Sequence, residues 1–314
     1  MKRKDVDLQE VDNLKKTIRT TKAMPQSGDI DINKQGFTDE EYEKLEKAKN
    51  KKKSERTEED NRRLEEKKEK DKLRQTAISI LRGISIRMPL LIYGADIRDE
   101  DEQLSIDNFT KLVDDQSWDE FMPNGVTKSE FNKFKKYYEP DVFRAAGKRI
   151  RAMARAADNL TIEARTERIT AIFANFRNPD KETVLTPWRV VNMHLGDCLG
   201  GYSFLSEDRA STVSEPIYID YGEVTANVFN EDAKILEINS KSGLYPLYMT
   251  YSIYKNIIED MHNEGKSIEE IEEQHRVWDK VVKENIFVIC KTPMAKSITK
   301  RTLVGFRDAS VNTR

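Results

Sequence analysis

The stretch from Ala233 to Cys290 constrains this chain more than any other. A short apolar strand, Ala233 to Ile238, runs into NSKSG and then a helix from Leu244 to Met261. A charged helix around Ile268 to Lys283 follows, and then a second apolar strand, NIFVIC, from Asn285. Strand, glycine turn, helix and strand make a βαβ unit, which implies a parallel sheet. Open parallel sheets bind ligands at the carboxyl ends of their strands. There the first strand carries Glu237, and the turn carries Asn239, Ser242 and Gly243. An acid at a strand end accepts from a ligand's ammonium or hydroxyl groups. Gly243 lets the backbone pass close under a ligand. The helix behind it offers free N–H groups and a positive dipole end. A single glycine does not make the dinucleotide fingerprint, so that class is set aside.

Upstream stands LTPWRVVNMHL, Leu185 to Leu195. Thr186 is a good N-cap and Pro187 a good first helical residue. The helix is expected to end at Gly200-Gly201. Short strand-like pieces and turns follow from Pro216 to Phe229.

The order Thr-Pro helix, then strand-Glu, then Ser-Gly and helix, is similar to the cofactor region of the N6-adenine DNA methyltransferases whose motif X precedes motif I. Thr186, Pro187, Val190, Val191 and Met193 match the first motif. Glu237, Asn239, Ser242 and Gly243 match the second. Three further segments, ISILRGISIRMPLLIYGADI, VDDQSWDEFMP and IFANFRNPDKETVLTPWRVVNMHLGDCLGGYSF, extend the likeness. Residues 76–310 together resemble the single-polypeptide restriction–modification proteins that join a helicase to an Eco57I-like adenine methylase. The resemblance implies S-adenosylmethionine as cofactor, with Thr186 and Pro187 at its methionine end. It implies DNA as a partner, along with the remaining methyltransferase and helicase regions or subunits. The family's Asn/Asp-Pro-Pro-Tyr tetrapeptide, which holds the target adenine, is absent from the sequence. No phosphate loop of an ATPase motor is present either. At the end of the second strand, Lys291 and Thr292 stand where the family places an acid for the ribose hydroxyls. No catalytic residue is therefore assigned. The expectation is a fragment that spans a coupling region and the start of the methyltransferase domain and does not methylate DNA alone. The alternative is a non-catalytic DNA- or partner-binding coupling module.

The rest of the chain fits an α + α/β class, with a partial Rossmann-like sheet at its end. Charged residues make up 35%, above the ~25% of ordinary globular chains, and they concentrate early. Thr38 to Arg74 has no Gly or Pro and many Glu–Lys pairs at helical spacing, which predicts a solvated helix. Thr38 and Glu41 have capping-box spacing. A charged lead is thus expected over 1–75, a mostly helical coupling domain over 76–180, and half a methyltransferase domain over 181–314. Within the coupling domain, AISILRGISIRMPLLIYGADI predicts a helix leading into a buried strand, broken at Pro89. Thr127, Asp141 to Ala156 and Thr161 to Phe176 predict helices, closed by a turn at Asn178-Pro179-Asp180.

Arg144, Lys148, Arg151 and Arg155 recur at helical spacing and make a candidate DNA-backbone stripe, continued by Arg165 and Arg168. Lys296, Lys300, Arg301 and Arg307 form a second cluster. Asp180, Asp232 and Lys234 are the best candidates for a metal nuclease, and their separation argues against one. His194, His262 and His275 lack metal-ligand spacing, so no metal is expected. Two cysteines, Cys198 and Cys290, cannot build a disulfide framework. The start, MKRKDVDLQEVDNLKK, has no apolar h-region, and no membrane-length apolar run exists. A cytoplasmic setting without a membrane partner is expected.

Overall fold

The computed structural model describes residues 39–176 and 185–314. The Thr38 cap and the Asn178-Pro179-Asp180 turn lie outside the described residues.

Among the described residues, the charged lead is two helices, not one. Helix α1, Asp39–Asn50, stops before a 3-10 turn at Lys53–Glu55, and α2 runs from Glu58 to Gly94. The restart has a full capping box. The Asp60 amide donates to Thr57 Oγ1 at 3.2 Å, and the Thr57 amide donates back to the Asp60 carboxylate at 3.0 Å. The composition shift at residue 75 falls inside α2, so it marks a change of surroundings and not a chain break.

The strand expected after Pro89 is not there, because α2 continues through the proline to Gly94. Leu90, Leu91, Ile92 and Tyr93 are all buried. A helix that is apolar all round is a core helix, and its run of apolar residues reads like a buried strand. Burial on every side outweighs the backbone bond that Pro89 removes.

Around α2 pack α3 (Glu100–Gln103), α4 (Asp115–Phe121), α5 (Lys128–Phe134), α6 (Pro140–Ala157) and α7 (Ile162–Asn175). Asp114, Thr127 and Thr161 cap α4, α5 and α7 with their side chains. Phe109 anchors this core, with Trp118, Phe131 and Phe143 rings 5.4–5.8 Å from it.

The second region begins with α8 (Trp188–Cys198). An antiparallel hairpin follows, β1 (Gly201–Leu205) and β2 (Thr212–Ile219), and then α9 (Glu223–Val228). The hairpin replaces the loose strand pieces expected there, and Pro216 sits on its exposed β2 strand. Next come β3 (Ile235–Ile238), α10 (Leu244–Asn263), α11 (Ile271–Asn285), β4 (Ile286–Ile289), α12 (Pro293–Val304) and β5 (Asn312–Thr313). Strands β3, β4 and β5 form a parallel sheet in that order, with Ile235 opposite Ile286 and Glu237 opposite Val288. The βαβ reading stands. Whether the sheet is that of a methyltransferase is taken up below.

Among the described residues, only one face of this sheet is covered. Ile286 and Val288 are buried beneath the helices, while Leu236, Phe287, Ile238 and Ile289 are 57%, 38%, 69% and 40% exposed on the other face. Strand β3 is also an open edge, since β4 is its only partner among the described residues.

The two regions are joined at the end of α2. A helix leaves its last carbonyls without intrahelical donors. Here Arg301 of α12 donates to the Tyr93 and Ala95 carbonyls, at 2.5 and 2.8 Å. Arg151 of α6 donates to Ala95 and Ile97, both at 2.9 Å. Gly94 permits this closeness. A Cβ there would lie 2.5 Å from the Ile298 and Met294 side chains.

Candidate functional site at the parallel strand ends

Beyond β3 the chain turns through Asn239, whose φ of +67° is one that Asn tolerates better than most residues. The Ser240 amide then donates across to the Ile289 carbonyl at 3.0 Å, tying the turn to the end of β4. Gly243 has a φ of +73°, and a Cβ on it would come within 3.1 Å of Thr299 and Thr302 on α12. Thr302 Oγ1 also donates to the Ser242 carbonyl at 2.6 Å. The glycine is thus required by its left-handed backbone and by close packing on α12, a reason not visible in the sequence.

Glu237 shares the covered side of the sheet with Val288. Its Oε2 is buried and receives no hydrogen bond. Burial pushes its pKa up to about 7, and the nearby Ser240 hydroxyl offsets part of that. Tyr245, on the first turn of α10, is raised by burial and then by the charge of Glu237.

The Thr-Pro segment is brought to the same place from the other side. His194 of α8 lies 3.1 Å from the Tyr245 hydroxyl, with the two rings edge to face. Thr186, Pro187 and Trp188 line a cleft of about 530 Å³ with Leu244, the first residue of α10, and with Phe173 and Phe176. One expectation is corrected. Pro187 is extended, with ψ of 147°, so the helix starts at Trp188 and Thr186 stands one residue too early to cap it. The two motifs are neighbours in space, though Glu237 does not line the cleft.

The basic stripe on α6 divides. The Arg151 side chain is only 1% exposed, and besides the α2 carbonyls it binds Glu100 at 2.8 Å. It cannot reach a DNA backbone, because it fills the bond-accepting end of α2. Arg155 pairs with the same Glu100 at 2.5 Å and stays exposed. Arg144 and Lys148 lie half-buried at the surface. Arg165 is fully buried and donates to the Arg301 and Thr302 carbonyls. Of the second cluster, Lys296 and Lys300 are exposed, Arg301 is buried, and Arg307 pairs with Asp279 at 2.7 Å. Arg151, Arg155 and Arg301 all lie over the Phe306 ring, 4.6–5.2 Å from its centroid. Burial, reinforced by the charge of Arg151, lowers the Arg301 pKa to about 10.

Asp180 of the nuclease grouping lies outside the described residues. Among the described residues no group of three or more His, Cys, Asp or Glu is placed to hold a metal ion, and no helix is long and apolar enough to cross a membrane.

Sequence reasoning missed Glu120. It comes from α4, and its carboxylate accepts from Thr292 Oγ1 at 2.5 Å across 172 residues of chain. Lys241 of the β3 turn lies 3.6 Å from its other oxygen. No local pattern in WDEFMP signals this contact, which exists only because α4 docks on the start of α12.

The chain matches no known protein family, no curated protein and no solved structure.

Proposed function

We propose that this chain carries the S-adenosylmethionine-binding part of an adenine-N6 DNA methyltransferase of the restriction–modification kind. The observation that carries this reading is Glu237. It is a half-buried acid at the carboxyl end of a parallel strand, with one oxygen lacking a donor and with Tyr245, which meets His194 of α8, near enough to feel its charge. Such an acceptor suits a cofactor rich in donors, an ammonium group and ribose hydroxyls. The donor set therefore fits the group. Thr186 and Pro187 would shape one end of the pocket, and Glu237, Asn239, Ser242 and Gly243 the turn beneath it. When bound, the cofactor supplies an activated methyl group. Methyl transfer to DNA requires an adenine-holding segment that the sequence lacks. The uncovered face and open edge of the β3–β4–β5 sheet are where such a complement would pack, because parallel sheets are normally covered on both faces.

A second reading is a non-catalytic coupling module that binds DNA or a partner protein. One observation favours it. Gly243 is accounted for by its packing on α12, with no ligand needed.

Calorimetric titration of S-adenosylmethionine into the wild-type chain and Glu237→Gln separates the two. The cofactor reading expects saturable binding that weakens at least tenfold in the variant. A folded wild-type chain that binds nothing, or a variant that binds equally well, overturns it.

A further inference from the structure

Lys291, at the end of β4, is exposed and has the wrong sign to accept from hydroxyl groups. The structure puts a carboxylate there by another route. Helix α4 docks on the first turn of α12, where the Met294 amide donates to Ser117 Oγ at 3.0 Å. One turn further along α4, Glu120 reaches Thr292. Its side chain is 2% exposed. One oxygen accepts from Thr292, and the other, Oε1, is buried and receives no hydrogen bond. A cleft of about 410 Å³ opens at this point, lined by Glu120 with Gln116, Asp119, Lys291 and Thr292. Lys241, in the turn that follows Glu237, and Thr292, just past the end of β4, both meet Glu120, so the two acids stand at neighbouring strand ends.

We propose that the ligand pocket is composite, and that Glu120 of the helical region accepts the hydroxyls of a ribose. This rests on the cofactor reading given above. A negative charge held at the start of α12 is favourable in itself, and that accounts for the oxygen bonded to Thr292. It leaves Oε1 without a donor, and a buried acceptor without one is costly. Lys241, 3.6 Å away, already supplies a positive charge. What Oε1 lacks is a hydrogen bond, which the adjacent hydroxyls of a ribose would supply beside that charge. An acid that accepts from ribose is a recurring device at the strand ends of nucleotide-binding sheets. Here it would come from a distant helix, which makes the helical region part of the pocket.

The test compares two ligands, S-adenosylhomocysteine and its 2′,3′-dideoxy analogue, by titration into the wild-type chain, Glu120→Gln and Glu120→Asp. Circular dichroism confirms folding. Wild type is expected to bind the dideoxy analogue about tenfold more weakly than the parent compound. Glu120→Gln should lose that preference by weakening the parent compound alone. Glu120→Asp keeps the charge beside α12 and should narrow the gap even if the Gln variant fails to fold. Equal weakening of both ligands would assign Glu120 a purely structural role and overturn the proposal. So would unchanged binding of both, which leaves the cofactor reading intact. If folded wild type binds neither ligand, both readings fall.

Discussion

The helical region and the α/β region solve the burial problem differently. Between Glu58 and Phe176 the helices enclose their own core, and no large apolar side chain described there is exposed. In the α/β region the exposed large apolar residues include Val213, Ile217, Tyr218, Leu236, Ile238, Phe287 and Ile289, all on β2, β3 and β4. The helices of α2 to α7 close on themselves, whereas among the described residues the sheet leaves a face unpacked and an edge unpaired. An exposed apolar patch of this kind marks a surface made for contact. The difference separates a region closed by its own helices from one whose described sheet is open to contact.

The largest effect is expected where the two regions join. Arg151 is buried, paired with Glu100, and bonded to carbonyls at the end of α2. Arg151→Ala leaves Glu100 without its inner partner and the Ile97 carbonyl without its Arg151 donor, while Ala95 keeps Arg301. Breaking such a buried pair costs about 3–5 kcal/mol. Urea unfolding should show that loss. A loss below about 1 kcal/mol, the range of exposed pairs, would show that the Arg151–Glu100 pair is not what secures the end of α2.

The next effect lies in the sheet and depends on pH. The native pKa of Glu237 is raised to about 7, against an ordinary value of 4.5. The native state therefore holds the proton more tightly than the unfolded chain does. Its contribution is fully present below pH 4.5 and is lost as pH rises through 7. Glu237→Gln should stabilise the free protein at pH 8, by on the order of 1–3 kcal/mol, and change little at pH 4. Thermal melts at the two pH values measure this. The same substitution is expected to weaken cofactor binding, and a gain in stability matched by a loss of binding is the mark of a functional site. Equal stabilisation at both pH values would show that burial of the charge is not the cause.

These two residues show what could be read from the sequence. The strand-end position of Glu237 was legible because its signals are local: an apolar strand, an acid at its end, a turn with glycine, and a helix start. The helices capped at Thr127 and Thr161 were legible for the same reason. Arg151 was not. Its spacing with Arg144, Lys148 and Arg155 identifies a helix face, but periodicity cannot say whether that face meets water or the end of another helix. The run before Gly94 failed similarly, since a helix buried on all sides and a buried strand have the same apolar signature. Glu120 and Gly243 take their roles from α12, far along the chain, and no local spacing encodes a contact made by tertiary docking.

The smallest effect bears most directly on the contrast between the regions. Val288 and Ile238 lie on opposite faces of the same sheet, 2% and 69% exposed. Val288→Ala removes buried methyl groups and should cost about 1–3 kcal/mol. Ile238→Thr keeps the β-branched shape that suits a strand and exposes less apolar surface, so its cost should stay within about 0.5 kcal/mol. Urea unfolding of the two variants gives the ratio. If Ile238→Thr costs as much as Val288→Ala, the face is covered in the isolated protein, and the division between a closed helical region and an open sheet fails. If it costs nothing, any loss of association with a methyltransferase complement in that variant can be assigned to the surface itself, because the fold beneath it is unchanged.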